Sequence, residues 1–337
     1  MRFKVVMLEP ELRILESVQP DLSRRADVVK IAATDETERK TAVADSHVIV
    51  MCYSRITAGI IASAPHLRGI VKYGVGVDSI DLAAASQAGI IVANCPAYGS
   101  ETIAEHAFAL MICLSRKIMP MDRSIRCAGW HHPAAPLLGN ELVGKILGIV
   151  GCGRIGRAMA FRAANFRMTC LAYDPHVEKD ALARDGIAKV ELDELLERSD
   201  VLTVHAVLTP ESRRLIGERE LRRLKPTALV INTARGAIID ESALVSGLRN
   251  GWIAGAGLDV FTDEPLGPDH ALIGLDNVIL TPHLAWHTAE AHERLEKDTY
   301  QNLIDILEGK VPPYVKNPDA VPLFIEKRNR ENNSIPV

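Results

Sequence analysis

Gly151-Cys152-Gly153-Arg154-Ile155-Gly156 is the stretch that decides the fold, because an apolar run precedes it and a helical pattern follows it. Residues 146–150 predict a buried strand, and residues 157–164 predict a helix. In this order the first glycine permits a tight turn, the second admits a pyrophosphate to the backbone, and the third lets helix and strand pack closely. The helix N-terminus then points at the phosphates. The stretch therefore predicts a dinucleotide-binding turn.

The next predicted strand, residues 169–173, ends in Asp174. A carboxylate at this point accepts hydrogen bonds from both hydroxyls of an adenosine ribose, and its charge repels a phosphate at the 2' position. The sequence therefore predicts NAD rather than NADP as the cofactor. A glycine turn followed by an ordinary surface Asp is the alternative interpretation.

Composition and charge exclude several classes of function. A chain of 337 residues with 47% hydrophobic content predicts a large core and two domains. The net charge of -4 gives no attraction to nucleic acid or to an anionic membrane, so a small metabolite is the expected partner. The six cysteines form no Cys-x-x-Cys pair, which predicts free thiols and no metal site. Without a signal peptide pattern at the N-terminus, we expect a cytoplasmic protein.

Short apolar runs alternate with helical patterns along the chain, which predicts an α/β fold with parallel sheets. Two series of strands are expected. The first contains residues 3–8, 48–51, 69–73 and 89–93. The second contains residues 146–150, 169–173, 201–204, 228–232, 254–258 and 278–280.

One predicted helix lies between these series and a second follows the last strand, in an order that predicts a discontinuous domain. Residues 102–114 are apolar on nearly all sides and predict a buried connecting helix, whereas residues 289–308 predict an amphipathic one. Residues 311–315 then return the chain to the first domain. The predicted boundaries are a substrate domain at 1–100, a cofactor domain at 101–288, a return to the substrate domain at 289–325, and a polar tail at 326–337.

Arg235, Glu264 and His283 follow three different predicted strands of the second series. Ligands of a doubly wound sheet bind at the carboxyl ends of its strands, so these side chains are expected beside the glycine turn. An arginine binds a carboxylate with two parallel hydrogen bonds, and a histidine exchanges a hydroxyl proton. A glutamate beside that histidine stabilises its cation.

Each of these residues also has a structural interpretation. Arg235 before a glycine is compatible with a turn that carries a surface cation, and Glu264 before a proline with an ordinary turn. His283 is compatible with a half-buried histidine whose hydrogen bonds are satisfied. The histidines at positions 131, 132, 287 and 292 have no evident partner and are expected to be structural or exposed.

The ordered motifs resemble those of the D-isomer-specific 2-hydroxyacid dehydrogenases over nearly the whole chain. The matching segments are 72–78, 104–106, 144–145, the glycine turn, 232–236, 257–261, 264–265 and 282–283. The resemblance implies two doubly wound parallel-sheet domains, with a Rossmann NAD-binding domain inserted in a flavodoxin-like substrate domain. It also implies a homodimer formed through the cofactor domain, including the stretch around Trp130.

The resemblance assigns roles to individual residues. Arg235 anchors the substrate carboxylate, Glu264 is the histidine partner and His283 is the acid/base. The backbone of the turn formed by Tyr73, Gly74, Val75 and Gly76 contacts the substrate carboxylate. The cofactor contacts implied by the matching motifs are those of Gly151, Gly153, Arg154, Ile155, Gly156, Asp174, His205, Ala206, Val207, Thr233, Ala234 and Asp259.

Two departures from the family pattern bear on the substrate. The loop at residues 51–57, which contains Tyr53 as a candidate substrate contact, offers only Arg55 to a phosphate group. Trp286 follows the catalytic histidine closely and resembles the C-terminal-binding-protein branch, whose members are NAD-sensing corepressors. The sequence thus predicts an NAD-dependent dehydrogenase of a small 2-oxo acid such as hydroxypyruvate, glyoxylate or the 3-phosphoglycerate type. An NAD-responsive interaction protein is the alternative, and Trp286 would contact the substrate in the enzyme.

Overall fold

The structure is a computed structural model that describes residues 2–10, 14–130, 132 and 135–333. The chain forms two compact units. Unit 1 contains Met1–Gly99 and Thr288–Val337, and unit 2 contains Ser100–His287. Unit 1 is therefore discontinuous in sequence, and unit 2 is inserted into it.

Unit 1 is built on a parallel sheet of five strands. The strands are β1 (Phe3–Met7), β2 (Ala26–Lys30), β3 (Val48–Met51), β4 (Gly69–Lys72) and β5 (Ile91–Ala93), in the order β2-β1-β3-β4-β5. The helices of the first segment are α1 (Gln19–Arg25), α2 (Glu36–Val43), α3 (Ala58–Ala62) and α4 (Leu82–Gln87). The strands β3, β4 and β5 are buried along their whole length, as expected for a parallel sheet covered on both faces. This strand order confirms the flavodoxin-like expectation.

Strand β2 was not expected from the sequence. Its five residues contain only two consecutive β-branched residues, Val28 and Val29, between charged ones. The strand occupies the edge of the sheet and pairs only with β1, so only Ala26 is buried in it. An edge strand needs no continuous apolar run, because much of its surface contacts solvent.

The C-terminal segment completes unit 1 at the opposite edge of the sheet. Ala93 of β5 pairs with Val315 in an antiparallel bridge, and the side chain of Asn317 accepts a hydrogen bond from Val92 N at 2.8 Å. The segment contains α12 (Ala289–Leu307) and α13 (Val321–Asn333). Helix α13 contains residues 326–333 of the predicted polar tail, and pairs such as Arg330 with Glu326 support this helix. Residues 334–337 of that tail lie outside the described residues.

Unit 2 is built on a parallel sheet of seven strands. The strands are β6 (Ile146–Val150), β7 (Thr169–Tyr173), β8 (Ala188–Lys189), β9 (Val201–Val204), β10 (Leu229–Asn232), β11 (Gly255–Leu258) and β12 (Val278–Leu280). Their order is β12-β11-β10-β9-β6-β7-β8, so the direction of winding reverses between β6 and β9. This is the dinucleotide-binding topology, and it confirms the predicted Rossmann domain.

Seven α-helices of the described residues belong to unit 2. They are α5 (Ser100–Ser115), α6 (Ile118–Ala128), α7 (Arg154–Asn165), α8 (Lys179–Ala183), α9 (Leu192–Arg198), α10 (Glu218–Arg223) and α11 (Glu241–Arg249). The helix predicted as a buried connector, α5, packs within unit 2 against β10, β11 and α7. It also has a solvent-facing side, because Glu101 and Glu105 are exposed and pair with Arg162 at 2.8 and 2.9 Å. Helix α6 was not expected, and none of its residues is buried.

Candidate active site

The glycine turn lies at the point where the unit 2 sheet reverses its winding, between β6 and β9. Gly151 has φ +84°, and a Cβ there would lie 2.5 Å from the backbone N of Ala206. A Cβ at Gly156 would lie 2.5 Å from the carbonyl oxygen of Gly151. Both positions therefore require glycine because the polypeptide itself passes too closely for a side chain.

Gly153 differs from these two glycines in its surroundings. A Cβ at Gly153 would meet no heavy atom within 4 Å, and its φ of -76° is accessible to any residue. The neighbouring polypeptide therefore leaves open space beside the backbone at the first turn of α7. Open space at a helix N-terminus, where N–H groups point outward, fits the pyrophosphate of a dinucleotide. The three glycines thus have distinct environments, and the pyrophosphate contact of Gly153 stays a prediction.

Asp174 follows β7 and contacts the backbone of the glycine turn. Its buried carboxylate accepts hydrogen bonds from Cys152 N at 2.8 Å and from His176 N at 2.9 Å. The carboxylate is therefore fixed beside the backbone that precedes Gly153. This is the location in which a ribose contact was predicted.

Two buried polar atoms follow β9 and β10 and have no hydrogen-bond partner among the described residues. They are Nδ1 of His205 and Oγ1 of Thr233. The other ring nitrogen of His205 lies 2.9 Å from Thr203 Oγ1, and burial lowers the pKa of His205 to about 4. The imidazole is therefore neutral at ordinary pH. Buried polar atoms are normally satisfied, so these two atoms at the carboxyl edge of the sheet fit contact with a bound ligand.

Arg235 follows β10 in a turn that Asn232 stabilises. The Asn232 side chain donates to the carbonyl of Arg235 at 2.9 Å and accepts from Ala234 N at 3.0 Å. The next residue, Gly236, lies directly against Phe261, because a Cβ there would be 2.0 Å from the Phe261 carbonyl carbon. This close approach packs the turn that carries Arg235 against the segment that leads to Glu264.

Glu264 and His283 form a hydrogen-bonded pair in unit 2. The distance between Glu264 Oε2 and His283 Nδ1 is 2.6 Å, and Glu264 Oε1 accepts from Phe261 N at 2.9 Å. Burial raises the pKa of the Glu264 carboxyl, but the hydrogen bond and charge of His283, the Phe261 N–H and Arg235 lower it more. The net effect is a pKa below the ordinary value. Glu264 is therefore ionised at neutral pH and is a charged hydrogen-bond partner of the imidazole ring.

Asp259 holds the segment that presents His283. The Asp259 side chain is 1% exposed, and its carboxylate accepts from Thr281 Oγ1 at 2.6 Å, from Leu284 N at 3.0 Å and from Ala285 N at 2.8 Å. The resemblance implied a cofactor contact for Asp259 but did not reveal this anchoring role. The residues that donate to Asp259 lie more than 20 positions later in the chain, so no local sequence pattern indicates these contacts.

The remaining unit 2 candidates differ in exposure. Ala206 is half-buried and Val207 is exposed after β9. Arg154 and Ile155 follow Gly153 in the sequence and are the first two residues of α7. Trp286 is buried and its ring packs edge-on against His287, with centroids 5.1 Å apart.

The substrate candidates of unit 1 lie at the carboxyl edge of its sheet, after β3 and β4. Tyr53 is 43% exposed, whereas Tyr73 is buried and its hydroxyl lies 3.1 Å from His292 Nδ1. Burial raises the pKa of the Tyr73 phenol far above its usual range, so the phenol stays neutral. Gly74 has φ +138°, which favours glycine. His292 thus has a partner that the sequence did not reveal.

The described residues give no support for a metal centre or a membrane span. No group of three or more His, Cys, Asp or Glu side chains in the described part of the chain is arranged to hold a metal ion. None of the described helices is both long enough and apolar enough to cross a membrane.

The chain is similar to known proteins in both sequence and structure. The family model of the D-isomer specific 2-hydroxyacid dehydrogenase NAD binding domain matches residues 108–285. Glyoxylate reductase of Korarchaeum cryptofilum is 43% identical over 269 residues, which cover 79% of this chain and 81% of that protein. D-3-phosphoglycerate dehydrogenase of Archaeoglobus fulgidus is 40% identical over 262 residues, 78% of this chain and 49% of that one.

A similar solved structure is that of D-lactate dehydrogenase from Aquifex aeolicus, in complex with NAD and lactic acid. It superposes with a TM-score of 0.85 at 29% sequence identity and covers 93% of this chain and 99% of that chain. A glyoxylate reductase from Paecilomyces thermophila also superposes with a TM-score of 0.85, at 28% identity, with 94% and 99% of the two chains covered.

Proposed function

Because the chain belongs to the D-isomer-specific 2-hydroxyacid dehydrogenase family and is therefore an NAD-dependent oxidoreductase of 2-oxo and 2-hydroxy acids, we propose that it reduces a small, unphosphorylated 2-oxo acid. Glyoxylate and hydroxypyruvate are the proposed substrates. The observation that supports this proposal best is the 2.6 Å contact of Glu264 with His283, next to the turn of Arg235. The corepressor alternative is not favoured, because the named relatives are reductases and dehydrogenases.

The proposed mechanism assigns the proton to His283. Nδ1 of His283 contacts Glu264, and we assign to Nε2 the donation of a proton to the oxo oxygen during reduction and its acceptance during oxidation. The ionised Glu264 keeps the ring oriented and favours its cation. Bound NAD(H) supplies or accepts the hydride.

Arg235 is the proposed anchor of the substrate carboxylate. A guanidinium group binds a carboxylate with two parallel hydrogen bonds, which fix the orientation of the reacting carbonyl as well as its position. Its charge also contributes to the lowered pKa of Glu264, so the two groups act on each other within unit 2. Substrate contacts of Tyr53, of the turn from Tyr73 to Gly76 and of Trp286 remain predictions.

The proposed cofactor contacts follow the geometry of unit 2. Gly153, with the first residues of α7, would hold the pyrophosphate, and Asp174 would bind the adenosine ribose. His205 Nδ1 and Thr233 Oγ1, two buried atoms without a partner among the described residues, would face the cofactor. The same proposal includes Gly151, Arg154, Ile155, Gly156, Ala206, Val207, Ala234 and Asp259.

The phosphate-bearing substrate class is the weaker candidate. In the loop after β3, Arg55 is exposed, and residues 51–57 contain no second Lys or Arg that could bind a phosphate group. This favours glyoxylate and hydroxypyruvate over 3-phosphohydroxypyruvate.

We further propose a cytoplasmic homodimer formed through unit 2. The support for the dimer is a run of exposed apolar side chains around α6, which a monomer would leave in water. This run comprises Ile118, Met119, Met121, Ile125, Trp130 and Leu138.

NADH oxidation with a panel of 2-oxo acids tests the proposed activity. We expect turnover of glyoxylate or hydroxypyruvate, and a loss of about 10²- to 10⁴-fold in kcat for His283→Ala, the usual effect of removing a positioned acid/base. The NADH affinity of this variant should remain close to that of the wild type. Absence of turnover with every member of the panel, at saturating NADH, would refute the proposal.

A further inference from the structure

Lys72 is a buried cation at the end of β4 to which the proposed function gives no role. It is 8% exposed, and its ammonium group donates a hydrogen bond to the carbonyl of Cys52. The same group lies 5.7 Å from the centroid of the Tyr53 ring. Removing an ammonium group from water costs free energy, so lysine is rare at buried positions where its charge has no use.

The Lys72 side chain runs alongside Gly74. A Cβ at Gly74 would lie 3.4 Å from Cε and 3.9 Å from Nζ of Lys72, and 3.9 Å from the hydroxyl oxygen of Tyr98. Because Gly74 has no side chain, the ammonium and the hydroxyl converge on the space beside its backbone. All three residues belong to unit 1.

The turn that follows Lys72 also carries backbone donors. Its carbonyls are engaged, since Cys95 N donates to Gly74 O at 2.9 Å and Asn94 Nδ2 donates to Val75 O at 2.6 Å. Among the described residues, no acceptor contacts the N–H groups of Gly74, Val75 or Gly76. Successive N–H groups beside a cation form a site for an anion.

Glu9 is an acidic residue that contacts the loop after β3, which contains Cys52. Backbone N–H groups of this loop compensate its negative charge. Its buried carboxylate accepts from the N–H groups of Cys52, Tyr53 and Ser54 at 2.9, 3.0 and 2.6 Å. Glu9 therefore holds the loop through N–H groups, whereas Lys72 holds it through the Cys52 carbonyl. An anchoring role for Lys72 predicts that the two residues behave alike when neutralised.

We propose that Lys72 is a substrate-binding residue, whose ammonium group binds the carboxylate of the 2-oxo acid together with the N–H groups of the turn from Gly74 to Gly76. The identity of this anion rests on the proposed function, whereas the site itself rests on the contacts of unit 1. A charged donor makes shorter and stronger hydrogen bonds to a carboxylate than a neutral donor does. Lys72 thus raises the affinity for the acid without acting on the hydride or the proton.

Calorimetric titration of the NADH-saturated protein with oxalate, a non-reducible dicarboxylate, tests this assignment. We expect Lys72→Met to raise the Kd of oxalate and the KM of glyoxylate by about 10- to 100-fold, the usual cost of a hydrogen bond to a charged group. Because the interaction is proposed for ground state and transition state alike, kcat should change by less than about threefold. Lys72→Arg should recover part of the affinity. Glu9→Gln, the matched control, should keep the oxalate Kd of the wild type.

Several results would overturn the proposal. One is an unchanged oxalate Kd in Lys72→Met, and another is an equal loss of affinity in Glu9→Gln, which would indicate an anchoring role. Lys72→Gln serves as a second neutral variant. If neither neutral variant folds with the NADH affinity of the wild type, Lys72 is structural and the proposal fails. A wild-type protein that binds oxalate but reduces no 2-oxo acid would refute the proposed function alone.

Discussion

His283 has a left-handed backbone conformation, with φ +55°, that is uncommon for a residue other than glycine. Its N–H donates to the carbonyls of Asp259 and Thr281 at 2.8 and 3.1 Å, while Thr281 Oγ1 and Leu284 N donate to the Asp259 side chain. The surrounding hydrogen bonds therefore determine the backbone at His283, and with it the direction of the imidazole. Uncommon backbone conformations of this kind persist where the surroundings hold them, often at functional sites.

Replacing Glu264 with Gln should change the pH dependence of reduction. Gln keeps a hydrogen-bond acceptor for His283 but removes the negative charge that favours the imidazolium. Since reduction requires the protonated ring, the alkaline limb of kcat/KM should move to lower pH. The measurement is a pH series of kcat/KM for glyoxylate at saturating NADH.

A matched control for this variant exists in the same unit. Glu241 lies 3.0 Å from His270 in a second carboxylate–histidine pair that has no proposed part in the reaction. Glu241→Gln should therefore leave the alkaline limb where it is in the wild type. If the limb also stays in place in Glu264→Gln, another group controls the protonation of His283 and the proposed pair is wrong.

Replacing Asp174 with Ala should relax the preference for NADH over NADPH. The change removes the carboxylate that would bind the ribose hydroxyls and repel a 2'-phosphate, so the ratio of kcat/KM for the two cofactors should shift toward NADPH by about 10-fold or more. Asp174→Asn tests the contribution of charge, because the amide keeps an acceptor for Cys152 N. A wild-type enzyme that already prefers NADPH would contradict this role of Asp174.

At the level of elements, a substitution in the glycine turn before helix α7 should change NADH binding without changing thermal stability. Gly153→Ala places its methyl group in space that no heavy atom of the neighbouring polypeptide occupies within 4 Å. We therefore expect the Tm to remain within a few degrees of the wild type, while the Kd of NADH rises because the methyl group obstructs the pyrophosphate. Thermal unfolding and NADH titration measure the two quantities.

Two other glycines of unit 2 provide the comparison. Gly274→Ala also enters open space at an ordinary φ, so it should change neither the Tm nor the NADH Kd. Gly236→Ala should lower the Tm strongly, because its Cβ would overlap the backbone of Phe261. An NADH Kd of wild-type value in Gly153→Ala would show that the cofactor does not approach this backbone.

The elements that the sequence predicted well are those with a strong local pattern. Strands such as β6 and β10 are continuous apolar runs in the middle of a parallel sheet, and Asp174 and Arg235 follow directly from where such strands end. Strand β2 and helix α6 were missed because neither buries a continuous apolar surface. The anchoring contacts of Asp259 and the environment of Lys72 depend on residues distant in sequence, so no local periodicity reveals them.

At the scale of the whole molecule, the proposed dimer depends on the apolar surface around α6. Trp130 is 86% exposed, and such a large side chain is unfavourable in water unless a partner covers it. Trp130→Glu should therefore shift the protein toward monomer in sedimentation or light-scattering measurements made over a range of concentrations. Phe161→Glu, a change of another exposed aromatic residue in unit 2, provides a comparison for general effects of added charge. A wild-type protein that is monomeric at all concentrations would exclude the dimer.

The discontinuity of unit 1 has a consequence for synthesis on the ribosome. Until Tyr314 to Asn317 have been translated, β5 lacks the hydrogen bonds that the described structure gives it at its outer edge, among them Asn94 N to Tyr314 O at 3.3 Å and Lys316 N to Val92 O at 2.8 Å. Translation of unit 1 thus starts before that of unit 2 but is completed after it. All residues of unit 2 are available for folding before the last segment of unit 1 has been made. A nascent chain arrested after His287 should show protease protection of residues 100–287 and rapid cleavage within residues 1–99. Equal protection of both segments would contradict this order. The exposed edge of an incomplete parallel sheet can pair with other chains and cause aggregation. We therefore expect this protein to depend on a chaperone until residues 314–317 have been translated.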